Sequence, residues 1–331
     1  MPLLNVTGLS VTLSTADGAA RAVRDMNFSL EKGETLGIVG ESGCGKSITA
    51  LALMGLLPER SETTGKIEFN GENLLQKPET EMCALRGNRM AMIFQEPMTS
   101  LNPVHTIGRQ VMEPLRLHKN MTRAEAKAEA VRLLDRVGIP NPQERLGNYP
   151  HQLSGGQRQR VMIAMALSCS PDILIADEPT TALDVTIQDQ ILELIQSLVR
   201  EEDMALILIS HDLGVISENT DRIMVMYGGA AVETGPTETF FEALSHPYSQ
   251  GLFAAMPKLG MGRTSRLMTI PGVVPDLINL PSGCTFTDRC PLATAECRNS
   301  APPLRQLTAG HNVACYHLDK ARTMKAEGLF A

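Results

Sequence analysis

The chain has 331 residues, with 30 Lys and Arg against 37 Asp and Glu, a formal net charge of −7. That balance argues against a general nucleic-acid binder, which carries a basic excess. No apolar run approaches the roughly 18 residues that span a bilayer, and 43% hydrophobic with 20% charged residues is too apolar for a disordered chain.

The length corresponds to roughly two domains. The N-terminus, MPLLNVTGLS, has neither a basic segment nor a long apolar one, so no signal peptide is expected and the chain reads as cytosolic. Seven cysteines, an odd number without an export signal, do not form a disulfide framework. Cys44, Cys83 and Cys169 are scattered, whereas Cys284, Cys290, Cys297 and Cys315 fall in the last fifth of the chain.

In chain order, residues 3–39 read as short strands separated by turns at Asp17-Gly18 and Lys32-Gly33, ending in the apolar strand 35–39. Residues 48–57 read as a helix closed by Pro58, and 66–95 as renewed strand. From about 106 to 148 the pattern is helical, with Thr122-Arg-Ala-Glu125 matching a capping box. A helix follows Ser154 to Ser168, then a buried strand at 173–176, an amphipathic helix at 187–201, and strands at 206–209 and 223–226. Strands alternating with helices predict an α/β fold with parallel pairing. The alternation fades near Gly235-Pro236, and from Pro257 onward Pro and Gly are frequent.

Gly40-Glu-Ser-Gly-Cys-Gly-Lys-Ser47 matches the phosphate-binding loop G-x-x-x-x-G-K-[ST], with a strand before it and a helix after it. Gly40, Gly43 and Gly45 let the backbone wrap a phosphate, with Glu41, Ser42 and Cys44 between them and Thr49 just beyond. Loop N–H groups and the helix start supply partial positive charge. Lys46 is expected to reach the β- and γ-phosphates of ATP and Ser47 to ligate Mg²⁺. Residues 173–178 form a buried strand ending in two acids. Successive strand residues point opposite ways, so Asp177 is assigned to Mg²⁺ and Glu178 to the attacking water.

Leu153-Ser154-Gly155-Gly156-Gln157, followed by Arg158-Gln-Arg160, decides between nucleotide-binding folds. With it the chain resembles the ATP-binding subunits of ABC transporters, over roughly residues 3–235. The resemblance implies a P-loop NTPase (RecA-like) cassette with an antiparallel β subdomain and a helical subdomain. It also implies that Leu153 to Gln157 contacts the γ-phosphate held by an opposite subunit. Gln95 matches the Q-loop glutamine, a Mg²⁺ ligand and catalytic residue. Thr181-Ala-Leu-Asp184 matches the D-loop, and His211 the switch histidine. The family stacks adenine on an aromatic residue, but residues 13–22 hold none. Arg21 through its guanidinium plane, or Leu13 and Val23 through apolar contact, are expected there instead.

The segments 94–103 and 176–186, His246-Pro-Tyr248, Ile270-Pro-Gly272 and Leu280-Pro-Ser-Gly-Cys284 resemble the oligopeptide/dipeptide (and nickel) importer ATPases, closest to the D-type. That likeness implies a cassette at 1–240, with its helical subdomain at about 97–165, and a C-terminal extension at 241–331. It implies a second, homologous ATPase subunit, so a heterodimer, and two transmembrane permease subunits contacted by the helical stretch. An extracytoplasmic substrate-binding protein would act indirectly, at a bacterial inner membrane with this chain peripheral on the cytoplasmic face. Cys284, Cys290, Cys297 and Cys315 then read as ligands of a [4Fe–4S] cluster, with Zn²⁺ or reduced or disulfide-linked thiols as alternatives. The ligand imported could also be nickel, an opine, a glycoside or a peptide antibiotic. A soluble ABC ATPase switch is disfavoured by the single phosphate loop and the absence of a long insertion.

Overall fold

The computed structural model describes residues 1–96, 100–181, 183–256 and 268–330. Pro97, Met98 and Thr99 of the 94–103 segment, Ala182 of the D-loop match, and Pro257 lie outside the described residues. The strands in chain order are β1 (Leu4–Thr15), β2 (Gly18–Leu30), β3 (Thr35–Val39), β4 (Ser61–Phe69), β5 (Glu72–Asn73), β6 (Met90–Ile93), β7 (Ile173–Asp177), β8 (Ala205–Ser210), β9 (Arg222–Tyr227), β10 (Ala230–Pro236), β11 (Arg305–Thr308) and β12 (His311–Val313). The chain forms two compact units, each interrupted in sequence: Met1–Leu4, Leu30–Thr35 and Phe69–Ile209; and Asn5–Ser29, Leu36–Glu68 and Ser210–Ala331.

In the first unit β6, β7 and β8 run parallel, with Met90 opposite Ile173 and Ile173 opposite Ala205. All five residues of β7 and all six of β8 are buried, the continuous apolar run expected of a parallel strand covered on both faces. The helices Ile107–His118, Arg123–Arg136, Gly155–Leu167 and Val185–Glu201 each begin at a side-chain cap: Thr106, Thr122, Ser154 and Asp184. Such a cap satisfies an N–H group that the helix leaves without a partner. Arg160 ties the third helix to the second by donating to the Val137 carbonyl at 2.7 Å.

In the second unit β2, β1 and β4 lie side by side in that order. A second set pairs β3 parallel to β9, β9 antiparallel to β10, β10 antiparallel to β12, and β12 antiparallel to β11. The strand β12 of the extension therefore continues the sheet directly from β10.

Three elements differ from the sequence reading. The first two strands are 12 and 13 residues long rather than several short pieces. Gly8 (φ 60°) and Asp25 (φ 44°) take left-handed conformations within them. The inward set in β1 shifts phase there, from Leu4 and Val6 to Leu9 and Val11, as at a β-bulge. The helix expected over 48–57 runs Lys46–Leu53, and Gly55 at φ 62° ends it before Pro58. The stretch 66–95 is not all strand: a helix, Glu79–Leu85, begins after Pro78 with Glu79 and Glu81 in its first turn.

Candidate functional site

The second unit holds the phosphate loop. It leaves β3 at Val39 and enters the helix Lys46–Leu53 through Gly45, whose φ of 102° a side chain rarely tolerates. A Cβ on Gly45 would lie 2.1 Å from the Ala22 carbonyl oxygen, and one on Gly40 2.3 Å from that of Met226. Gly43, at φ 79°, faces open space. The loop is closed from below by Gly229, whose N–H donates to the Cys44 carbonyl at 3.0 Å. Cys44 itself is fully buried, and burial pushes its thiol pKa up.

Lys46 is buried, and its ammonium donates to the carbonyls of Gly40 (2.8 Å) and Glu41 (3.2 Å). It therefore folds back over its own loop, the posture that aims a cation into the concavity formed by the backbone. Ser47 is half-buried in the first turn. Thr49 is buried, and its hydroxyl donates to the Gly45 carbonyl at 3.0 Å. His211 follows β8 in an exposed position, next to Asp212, which caps the helix Leu213–Asn219.

The extension reaches the same loop. The Glu41 N–H donates to the Tyr248 hydroxyl at 2.9 Å, and the Glu41 carboxylate receives both arms of the Arg289 guanidinium. Burial acts to lower the Arg289 pKa, but the hydrogen bonds to Glu41 and Tyr227 outweigh it and the net shift is upward. Neither Arg289 nor Tyr227 is prominent in the sequence reading, and Tyr248 appears there only as part of a family signature. Contacts separated by 207 and 248 residues leave no local pattern to detect.

The first unit holds the acidic strand end. Asp177 closes β7 opposite Ile209 of β8 and is 4% exposed. Glu178, the next residue, has φ 45°, a conformation costly for a residue with a side chain. Its N–H donates to the Ile209 carbonyl at 2.9 Å. Its carboxylate Oε2 accepts from Gln95 Nε2 at 3.0 Å and from the Thr181 hydroxyl at 2.9 Å. The structure thus brings Gln95 and Glu178 together, as a shared site requires, and adds Thr181 as a holder of the carboxylate.

Also in the first unit, Ser154 caps the helix Gly155–Leu167 in a capping box: its Oγ accepts from the Gln157 N–H, and the Gln157 side chain accepts from the Ser154 N–H. Leu153 is buried beneath this turn. A Cβ on Gly156 would meet the Ile187 methyl at 3.0 Å and one on Gly155 the Leu183 methyl at 3.5 Å. Asp184 caps the helix Val185–Glu201 by accepting from the Ile187 N–H at 3.1 Å. The signature turn and the D-loop turn are therefore packed neighbours.

Of the residues expected at adenine, Arg21 lines a cavity of about 340 Å³ in the second unit with Arg24 and Cys284. Leu13, half-exposed on β1, is not among the residues lining it.

All four cysteines of the extension are free thiols. Burial, with a smaller contribution from the neighbouring Cys284 and Cys297, pushes Cys290 up to about 12 and Cys315 up to about 11. The Cys284 N–H donates to the Cys297 carbonyl at 2.7 Å. Among the described residues no three His, Cys, Asp or Glu side chains are grouped to hold a metal ion.

Residues 23–181 match the family described as "ABC transporter", and residues 232–297 the "Oligopeptide/dipeptide transporter, C-terminal region". The chain is 54% identical to the oligopeptide transport ATP-binding protein OppD of Escherichia coli (strain K12), over 95% of this chain and 93% of that protein. It is 49% identical to the dipeptide transport ATP-binding protein DppD of the same strain, over 97% and 98%. Among solved structures it is similar to a dimeric ATP-binding cassette in a post-hydrolysis state with ADP and Pi, at TM-score 0.64 and 26% identity, over 71% of this chain and 98% of that one. At about half identity over nearly the whole length of these relatives, the chain belongs to the ABC transporter ATP-binding proteins of the oligopeptide and dipeptide transport group.

Proposed function

We propose that this chain is the ATP-hydrolysing subunit of an importer that powers uptake of di- or oligopeptides across the cytoplasmic membrane. The observation that carries the reading is Lys46, buried and bonded to the Gly40 and Glu41 carbonyls above a left-handed Gly45. Gly40 to Ser47 and Thr49 bind the triphosphate. The donor set of a hydroxyl, an amide oxygen and a carboxylate suits a hard cation, so Ser47, Gln95 and Asp177 would hold Mg²⁺, which neutralises phosphate charge when bound. Glu178 orients and deprotonates the attacking water, His211 meets the γ-phosphate, and Arg21 or Leu13 lies against the base.

The assembly is a pair of homologous ATPase subunits, a heterodimer. Leu153 to Gln157 of each chain, with its D-loop Asp184, faces the nucleotide of the other. Two permease subunits dock on the helical region, where a groove of about 1010 Å³ is lined by Arg109, Glu113, Arg116, Leu117 and Lys127. A binding protein outside the membrane delivers the substrate. No described helix is long and apolar enough to cross a membrane, and the relatives' transport role supports a peripheral position on the cytoplasmic face. Closure of the dimer moves the substrate, and hydrolysis reopens it.

The four thiols Cys284, Cys290, Cys297 and Cys315 fit an iron–sulfur group in donor chemistry. We assign them to such a cluster with a structural role, stapling an extension of short strands. Two measurements test the proposal. Lys46→Ala should abolish measurable Mg-ATP binding, and unchanged binding would overturn the nucleotide assignment. Anaerobically purified protein should absorb broadly near ~400 nm, as thiolate-bound iron does, and a colourless sample containing zinc or no metal would remove the cluster.

A further inference from the structure

Glu41 is the second residue of a loop that attracts anions, so its carboxylate opposes the loop's own purpose. Arg289, from the short 3₁₀ turn Thr287–Arg289, lies 248 residues away in sequence and pairs with it as a fork: Nη1 to Oε2 at 2.6 Å and Nη2 to Oε1 at 3.2 Å. The Arg289 side chain is only 5% exposed. Its remaining reach is taken up by the carbonyls of Pro271 (3.0 Å) and Ile270 (3.2 Å) and by the Tyr227 hydroxyl (3.3 Å). The guanidinium also lies over the Tyr227 and Phe286 rings, at 5.8 and 6.0 Å from their centres. Phe286, Tyr227 and Tyr248 pack against one another with centroids 4.5 to 5.4 Å apart. Tyr248 takes the Glu41 backbone N–H. One residue of the phosphate loop is thus held at its side chain by Arg289 and at its backbone by Tyr248.

We propose that Arg289, with Tyr248 holding the Glu41 backbone, is a positioning residue for nucleotide binding: it cancels the Glu41 charge and turns that carboxylate away from the phosphates, so the C-terminal extension sets the affinity of the loop for ATP. This rests on the reading of residues 40–47 as a nucleotide loop. A guanidinium with every arm engaged cannot follow Glu41 if the loop moves, so the pair acts as a fixed anchor rather than a mobile gate. Arg289 also immediately precedes Cys290, so whatever orders the cysteine segment orders the anchor.

The test is a charge cycle on the full-length protein, reading equilibrium affinity for a fluorescent Mg-ATP analogue alongside thermal stability. Arg289→Gln leaves Glu41 uncompensated and should weaken binding by about tenfold or more. Arg289→Lys, which cannot make the fork, should fall between it and the native protein. The double variant Glu41→Gln with Arg289→Gln removes both charges and should return affinity to within about threefold of native, with Glu41→Gln completing the cycle. Rescue of affinity by the double variant is the result a purely structural role would not give. Native affinity in Arg289→Gln, or a double variant as weak as the single one, would overturn the proposal. Lys46→Ala in the same assay separates the two readings: native binding there would sink the nucleotide loop itself rather than the anchor.

Discussion

The amide of Gln95 donates to the carboxylate of Glu178 across 3.0 Å. A residue just beyond β6 thereby fixes the side chain that follows β7, and Thr181 holds the same oxygen from the other direction. The general base proposed at Glu178, so held, would contribute through orientation as well as basicity. Glu178→Gln keeps the shape and removes the base. It should lower ATP turnover by about 10²- to 10⁴-fold while the ATP-bound dimer accumulates. Phosphate release and size-exclusion chromatography with and without ATP measure the two effects, and native turnover would refute the assignment.

The loop glycines make a graded prediction. Gly45→Ala must fit a Cβ 2.1 Å from the Ala22 carbonyl at φ 102°, whereas Gly43→Ala meets nothing within 4 Å and bears only the backbone cost. That backbone cost is about 1–2 kcal/mol. Chemical denaturation should therefore rank Gly45→Ala as clearly less stable than Gly43→Ala. Equal losses would mean that the loop relaxes away from Ala22.

Burial lowers the pKa of His246 to about 4, with Glu233 opposing the shift. The folded value lies below the ordinary one of about 6.5. Above pH 6.5 neither state binds the proton and the stability is fully present. As pH falls from about 6.5 towards 4, the unfolded chain binds a proton that the folded chain refuses, and stability declines by roughly 3 kcal/mol at most. Urea midpoints measured at pH 7.5 and pH 5 should separate for the native chain and converge for His246→Asn. A native chain equally stable at both pH values would contradict this.

The Thr122 hydroxyl accepts from the Glu125 N–H, and the Glu125 carboxylate accepts from the Thr122 N–H at 2.8 Å. Thr122→Ala should cost about 1 kcal/mol of stability and leave nucleotide affinity unchanged. Denaturant midpoints read the first effect and equilibrium binding the second. An unchanged midpoint would show that the cap contributes nothing measurable.

Much of the site is legible in sequence because its chemistry is local. The phosphate loop, the strand ending in Asp177, and the caps at Thr122 and Ser154 each depend on residues within a few positions of one another. What sequence obscures is of two kinds. Left-handed residues inside a strand, Gly8 and Asp25, shift the alternation by one, so two long strands look like several short ones. Contacts that close over long separations, such as Arg289 to Glu41 or Gln95 to Glu178, have no periodicity to reveal them.

The pairing of β12 with β10 bears on how this protein can be dissected. A fragment ending near residue 240 would bare the hydrogen-bonding edge of β10 and strip cover from Glu233, whose carboxylate accepts from Ser245, His246 and His311. An exposed edge beside an orphaned buried acid invites strand-to-strand aggregation. The segment that looks like an appendage thus protects the cassette from self-association.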